Sequence, residues 1–243
     1  MIKNTILIFV FSSILGCATS PHISSDNAYS KVFKRVSKEN PILLLPVKET
    51  IKEFNKADAI VSESVVKQLE FHGWSVVTLN RGVYEQKWSE IVKEIGGIYS
   101  SSTGRLDTDK YYDAIVKFTK RISREKMYSA ILFPSFELKM AELKGKHAYW
   151  DGVRRKKIVK GSSDENMRWS GNTRGLSLKI WAFDSAGEWL FTSYGGLVLP
   201  FYTSMYNSKE ESRLRLDMFD NSKDIESGVN VALLPIIIED RKK

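Results

Sequence analysis

The chain carries a single cysteine, Cys17, among its 243 residues. No intramolecular disulfide can form, so any fold must be held by its apolar core and its hydrogen bonds. Hydrophobic residues make up 42% and aromatic residues 12% of the sequence, which is enough for a packed core and too apolar for a disordered chain. The position of the cysteine constrains the chain as much as its solitude. Lys3 gives a short positive start, and Ile6 to Leu15 is apolar apart from Ser12 and Ser13. The small residue Gly16 then precedes Cys17. A charged start, a short apolar core and a small residue at the cut are the layout of a secretory signal peptide. The run is shorter than the roughly 20 apolar residues that span a bilayer.

The tetrad Ile14-Leu15-Gly16-Cys17 resembles the lipobox of bacterial lipoproteins. The resemblance implies that residues 1–16 are removed and that Cys17 becomes the first mature residue, acylated with chains such as palmitate. Acylation would spend a thiol that otherwise stands alone and reactive in an exported protein. Each buried methylene contributes about 0.8 kcal/mol, and stable anchoring takes more than one chain. Ala18 follows, where an aspartate would signal retention in the inner membrane. The resemblance therefore implies an outer-membrane anchor facing the periplasm, ahead of the inner membrane or the cell surface. The alternative is an ordinary signal peptide, or a short anchor helix, that contains a cysteine.

Removing 16 of 243 residues leaves 227, the size of one domain. The formal net charge is +8, or +7 once Lys3 is lost. A basic balance suits nucleic acid, but an exported, anchored protein does not meet it. Anionic lipid or acidic wall polymer such as peptidoglycan is the better-placed partner, and simple solubility explains the charge equally well.

The small, polar stretch from Ala18 to Tyr29 reads as a tether, so that residues 17–30 form anchor and tether and residues 31–243 a single α/β domain. Twelve tether residues reach at most roughly 40 Å. The apolar run Ile42 to Leu45, bounded by Pro41 and Pro46, predicts a fully buried strand. Asn55 is a candidate N-cap for a helix over Lys56–Phe71, whose apolar positions Ala57, Val61, Val65 and Leu69 recur at helical spacing. Gly73 closes that helix, and Trp74–Leu79 predicts a second strand. Strand, helix and strand in so short a span imply a parallel βαβ unit. Two more helices follow, from Val83 to Ile95 and from about Asp107 to Ile122. The second half is hairpins. Tyr128–Leu143 predicts a long strand, Lys144-Gly145-Lys146 a turn, and His147–Val159 the returning strand. After a polar loop over Lys160–Asn172, Leu176–Phe183 alternates with period two. A turn over Asp184–Gly187 leads into a partner strand over Glu188–Leu197. A last helix is expected over Ile225–Leu234, with an apolar tail at Ile236–Ile238. The fold class is α/β: a mixed sheet with a parallel βαβ start, helices packed on it, and antiparallel hairpins in the second half.

Three stretches carry a further resemblance. They are Ile42 to Pro46 with Leu69 to Val77, Ser129 to Pro134, and Leu176 to Asp184 with Gly187 to Leu190. Together they resemble the domain shared by the N-terminal part of TolB, the curli secretion lipoprotein CsgG and the penicillin-binding-protein activator LpoB. That resemblance implies a non-enzymatic envelope component that works by contacting another envelope protein. The long hairpin from Leu138 to Val159 departs from the family's plan.

No motif for catalysis stands out. The three histidines, His22, His72 and His147, are not spaced for a metal, and no phosphate loop, dinucleotide glycine pattern or serine elbow is present. Neither metal nor cofactor is expected. Trp150-Asp151-Gly152 allows two readings. The indole is a sugar-stacking platform with Asp151 accepting from hydroxyls, as in a glycan-binding or glycan-cleaving site, or the three residues are a bulge or turn with Trp150 packed on the sheet. The densest charge, Arg154-Arg155-Lys156-Lys157 with Lys144 and Lys146 across the turn, would form one cationic ribbon. It reads as a contact for a partner or an anionic surface, or as an edge strand kept soluble by its lysines. Among the later aromatics, Phe201, Tyr202 and Tyr206 are the candidates for exposed contacts, in a loop from Gly195 to Asn207.

Overall fold

The tether expected up to Tyr29 ends sooner. The computed structural model describes residues 23–31, 33, 36–48, 57–160, 169–206 and 209–238. Cys17 and the expected N-cap Asn55 lie outside them. Ala28–Tyr29 already forms a strand, β1, paired antiparallel with the late strand Trp189–Val198 through Ala28↔Thr192 and Tyr29↔Phe191.

The parallel start is present. β2 (Ile42–Leu44), α1 (Ala57–Phe71) and β3 (Val76–Thr78) form the βαβ unit, with Ile42 opposite Val76. Gly73, at φ 76°, ends α1 as the spacing predicts, and the Trp74 N–H reaches back to Leu69 O at 3.0 Å. The next helix, α2 (Arg81–Glu94), starts two residues earlier than expected. Asn80 is its cap, its Oδ1 accepting from the Gly82 N–H at 2.9 Å. α3 (Thr108–Ile122) is capped by Asp107 in the same way.

From α3 the chain enters β4 (Ala130–Gly145), whose first residues lie parallel to β2 on the side away from β3. The expected return over His147–Val159 is not β4's main partner. It breaks into β5 (His147–Trp150) and β6 (Val153–Lys156), a tight hairpin turning at Asp151 (φ 37°) and Gly152 (φ 78°). Positive φ at both turn residues is what a two-residue hairpin needs, and Asp-Gly supplies it. β5 pairs only with the end of β4, from Glu142 to Lys144. A short β7 (Val159–Lys160) then leaves for another sheet. β4's partner along its length is β8 (Trp169–Phe183), in unbroken register from Ile131↔Phe183 to Gly145↔Trp169. The strand therefore begins at Trp169, within the stretch expected to be loop. β9 (Trp189–Val198) follows as predicted, and the main sheet runs β1-β9-β8-β4-β2-β3, with β5 and β6 added beside the end of β4. The stretch expected as an aromatic loop is β10 (Phe201–Tyr206), which pairs with β11 (Lys209–Leu214) and with β7 in the second, three-stranded sheet.

The main sheet is covered on both faces. α1 and α4 (Ser222–Ile237) bury Val61, Val65, Val229 and Leu233 against Ile42, Leu44, Leu178 and Ile180. α2 and α3 bury Ile91, Phe118 and Ile122 against the alternate residues Leu43, Leu45 and Ile131. Successive residues of β2 thus serve opposite cores, which is why its sequence is continuously apolar. α4 lies backbone-close on β9. A Cβ on Gly195 would fall 2.0 Å from Gly228 O, and one on Gly228 would fall 2.3 Å from Gly196 O. Among the described residues no helix is long and apolar enough to cross a membrane.

Candidate functional site: a cationic sheet face

Beyond the helices, β8, β4, β5 and β6 form a four-stranded extension with two unlike faces. Side chains alternate along each strand. Ala141, Leu143, Ala148, Trp150 and Val153 point inward, packing with Leu199 and with Val231 of α4. The other parity faces outward in cross-strand rows. One row runs Asn172, Glu142, Tyr149, Arg154, and the next runs Ser170, Lys144, His147, Lys156. Arg174, opposite Met140, extends the face, and Lys146 stands exposed in the β4–β5 turn. Among the described residues five cations, Lys144, Lys146, Arg154, Lys156 and Arg174, share this face with one carboxylate, Glu142, which pairs with Lys144 at 2.8 Å.

The field of these cations is felt by His147. Partial burial, then Arg154, Lys156 and Lys146 in turn, hold its pKa below the ordinary value. Arg154 Nη2 approaches the imidazole nitrogens at 3.1 Å as donor and lies over the Tyr149 ring. Removing the neighbouring charge reverses the shift. In the double variant Arg154→Glu, Lys156→Glu the His147 titration midpoint, read by NMR, moves up relative to the unmodified chain. An unchanged or lower midpoint would mean that the cations do not act on it.

Arg155, expected in the same ribbon, is not on this face. It is 9% exposed. Its guanidinium donates to Leu197 O at 2.8 Å, Gly196 O at 3.2 Å and Asp224 O at 2.7 Å, and its Nε lies 3.5 Å from Asp224 Oδ1. Burial pulls its pKa down and Asp224 opposes that. Arg155 is the bolt that ties β6 to β9 and α4. Lys157 is half-buried at the end of β6, its N–H donating to Lys146 O at 2.9 Å.

Trp150 and Asp151 are likewise internal fittings. The indole is 7% exposed, so it is no open platform for a sugar ring. Its Nε1–H donates to Ser177 Oγ at 3.1 Å, and the Ser177 hydroxyl donates to Asp151 Oδ2 at 2.6 Å. The ring fills the space left by Gly175 and Gly196, where any Cβ would collide with it. Asp151 Oδ1 accepts from the Ser24 hydroxyl, and Asp151 O accepts from the Gly196 N–H at 3.0 Å.

Ser24 belongs to a clasp that the sequence did not announce. Asn27 Oδ1 accepts from the Tyr194 N–H at 2.9 Å, and Asp26 pairs with Lys139 at 2.7 Å. Lys139 also pairs with Glu137 and lies 4.0 Å over the Tyr194 ring. Burial disfavours its charge, but Asp26 and Glu137 outweigh burial and raise its pKa. The segment just after the candidate anchor is thus fastened to the sheet beside the β5–β6 turn.

Phe201 and Tyr202 are half-buried in β10, opposite Leu214 and Arg213, and Tyr206 closes the strand opposite Lys209. A separate cleft of about 320 Å³ lies beside the carboxyl end of β2, lined by Lys48, Arg81, Tyr84, Trp88 and Tyr111 among others. Its polar groups already serve one another. Lys48 donates to the Tyr111 hydroxyl at 3.2 Å, and Arg81 pairs with Asp58 and donates to Val47 O at 3.0 Å. No three His, Cys, Asp or Glu side chains gather as metal ligands among the described residues.

No family model and no curated protein matches the chain. The solved structures similar to it include two of PelC from Paraburkholderia phytofirmans. A point-variant PelC dodecamer shares 8% identity over 87% of this chain and 98% of that one, at a TM-score of 0.41. The other PelC dodecamer shares 8% over 88% and 96%, at 0.42. At that level the likeness carries no argument about function.

Proposed function

We propose that this chain is a lipid-anchored protein of the bacterial cell envelope, held to the outer membrane through Cys17 and facing the periplasm. It acts without catalysis, as an accessory or assembly factor for another envelope protein. The observation that carries the reading is the clasp. Ser24, Asp26 and Asn27 fasten the chain to the sheet only a few residues after Cys17. An anchor placed there holds the domain close to the membrane in a set orientation, with the cationic face beside the attachment point. That arrangement suits a protein that works by contact. The lipobox-like tetrad and the resemblance of the strand–helix–strand start to the TolB, CsgG and LpoB domain support the same reading.

The test is cell fractionation with capture. Cys17→Ser loses the acyl chains and is depleted from membranes washed at high salt, which removes headgroup attraction, and partners cross-linked to the wild type in intact envelopes are lost with it. A Cys17→Ser chain that stays with the salt-washed membranes as the wild type does and keeps its partners overturns the reading. The glycan reading centred on Trp150 and Asp151 loses its ground because the indole is enclosed and both Asp151 oxygens are engaged by serine hydroxyls.

A further inference from the structure

We propose that the cationic face of β4, β5, β6 and β8 binds the anionic phosphate headgroups of the membrane to which the chain is anchored. The proposal rests on the reading of Cys17 as the anchored residue.

Reach comes first. Ser24 is pinned to Asp151 in the β5–β6 turn, and Cys17 lies seven positions earlier. Seven residues span at most roughly 25 Å, not the roughly 40 Å of an unclasped tether. An anchored chain therefore keeps the hairpin turn within that distance of the bilayer, and the face is one register step away. Trp150 and Val153 flank the turn, Tyr149 and Arg154 are the next pair, and His147 and Lys156 are two steps beyond them.

Charge comes second. Among the described residues, five cations against one carboxylate stand on a surface whose opposite side is packed core. They sit on paired strands and not on a loose tail, so binding costs little backbone ordering. Each lysine or arginine near an anionic leaflet contributes roughly five-fold in affinity. Glu142 offsets Lys144 and Lys146 has another interaction, so the three remaining cations, Arg154, Lys156 and Arg174, give roughly a hundred-fold preference for anionic over zwitterionic lipid.

The rest of the face fits the same occupant. Met140 is 72% exposed and Tyr149 36%. An apolar side chain and a tyrosine set among cations match the level of the headgroups, where amphipathic rings favour the boundary between apolar and wet. The consequence is orientation. With the face on the headgroups, the outward surface of the β8-β4-β5-β6 extension lies against the membrane, and other surfaces are left for a partner protein.

The test uses the full chain with Cys17→Ser, so that no acyl chain contributes. It is co-sedimented with vesicles of phosphatidylcholine alone and of phosphatidylcholine with phosphatidylglycerol. The N-terminal apolar run contributes to both, so the difference reads headgroup charge. We expect about a hundred-fold preference for the anionic vesicles, falling steeply as salt is raised. The preference should vanish in K144E/R154E/K156E, whose fold is checked by circular dichroism. Equal binding to both vesicles, or a preference that survives the charge reversal, overturns the proposal. So does loss of a captured acidic protein in the triple variant without any lipid preference in the parent. The anchor is read separately, in cells. If Cys17→Ser changes nothing there while the vesicle preference holds, the anchor reading fails and the headgroup affinity stands.

Discussion

Replacing Arg155 by alanine lowers stability by about 3 kcal/mol. Three backbone carbonyls, of Leu197, Gly196 and Asp224, lose their donor at once. A buried acceptor left unmade costs roughly 1–3 kcal/mol. Asp224 is half-exposed and can turn to water, so the cost stays below that of a stranded buried charge. For a domain of this size the midpoint of thermal unfolding falls by roughly 6–12 °C. Lys156→Ala, one residue on, removes an exposed side chain and stays within about 0.5 kcal/mol of the unmodified chain. Arg155→Lys falls between them, because one ammonium cannot reproduce the guanidinium fork. Thermal and denaturant unfolding of the three variants measure this directly. An Arg155→Ala protein as stable as Lys156→Ala would mean that the hairpin does not depend on its bolt. The result also matters for function, because the variant would lose the cationic face by undocking it, with no exposed charge changed.

Gly195→Ala costs a similar amount, about 3 kcal/mol, at the top of the range for overpacking a core. The obstruction is backbone on the far side, Gly228 O at 2.0 Å and Ala232 N at 2.7 Å, and neither can rotate away as a side chain would. α4 must lift off β9, and that opens the core that holds Val229 and Leu233. Gly228→Ala meets Gly196 O at 2.3 Å. It recovers about 1 kcal/mol of helix propensity, so its net loss is smaller. Gly82→Ala in α2 is the comparison: its Cβ would meet only the Asn80 side-chain oxygen, at 3.3 Å, and stability changes by about 0.5 kcal/mol or less. If Gly195→Ala proves as mild as Gly82→Ala, the close approach of α4 to β9 is wrong.

The first half of the fold was legible because its signals are local. β2 is an apolar run between prolines, α1 has one apolar stripe, and Gly73 ends it with a left-handed residue, all within a few turns of chain. α2 starts before its first apolar residue, Val83, because the Asn80 side chain caps it at Gly82. The second half was harder. His147–Val159 has strand composition, but the Asp151-Gly152 turn inside it splits it into two strands, and that pair is itself a hairpin signal. Trp169–Gly175 looks like loop by composition, with two glycines, a serine, an asparagine and a threonine. It is strand because β4 offers it an unbroken row of partners.

The candidate site shows the same division. That lysines and arginines crowd the hairpin was plain from the chain. That Arg174 joins them was not, because it lies opposite Met140 only through a pairing between strands distant in sequence. Ser24, Asp26 and Asn27 have the small, polar composition of a tether. Their partners, Asp151, Lys139 and Tyr194, stand more than a hundred positions away.

By itself the sequence determined the α/β class, the βαβ start, the ban on disulfides and the presence of a basic hairpin, since period, capping and composition act over a few residues. Only the tertiary structure decided which basic residues face outward. Arg154 and Arg155 are neighbours of identical chemistry, and strand alternation sends them to opposite faces. Which face is buried depends on β9 and α4, which reach Arg155 from 41 to 69 positions away. No local pattern carries that information. It resides in the packing that turns one arginine into a bolt and leaves the other on the surface.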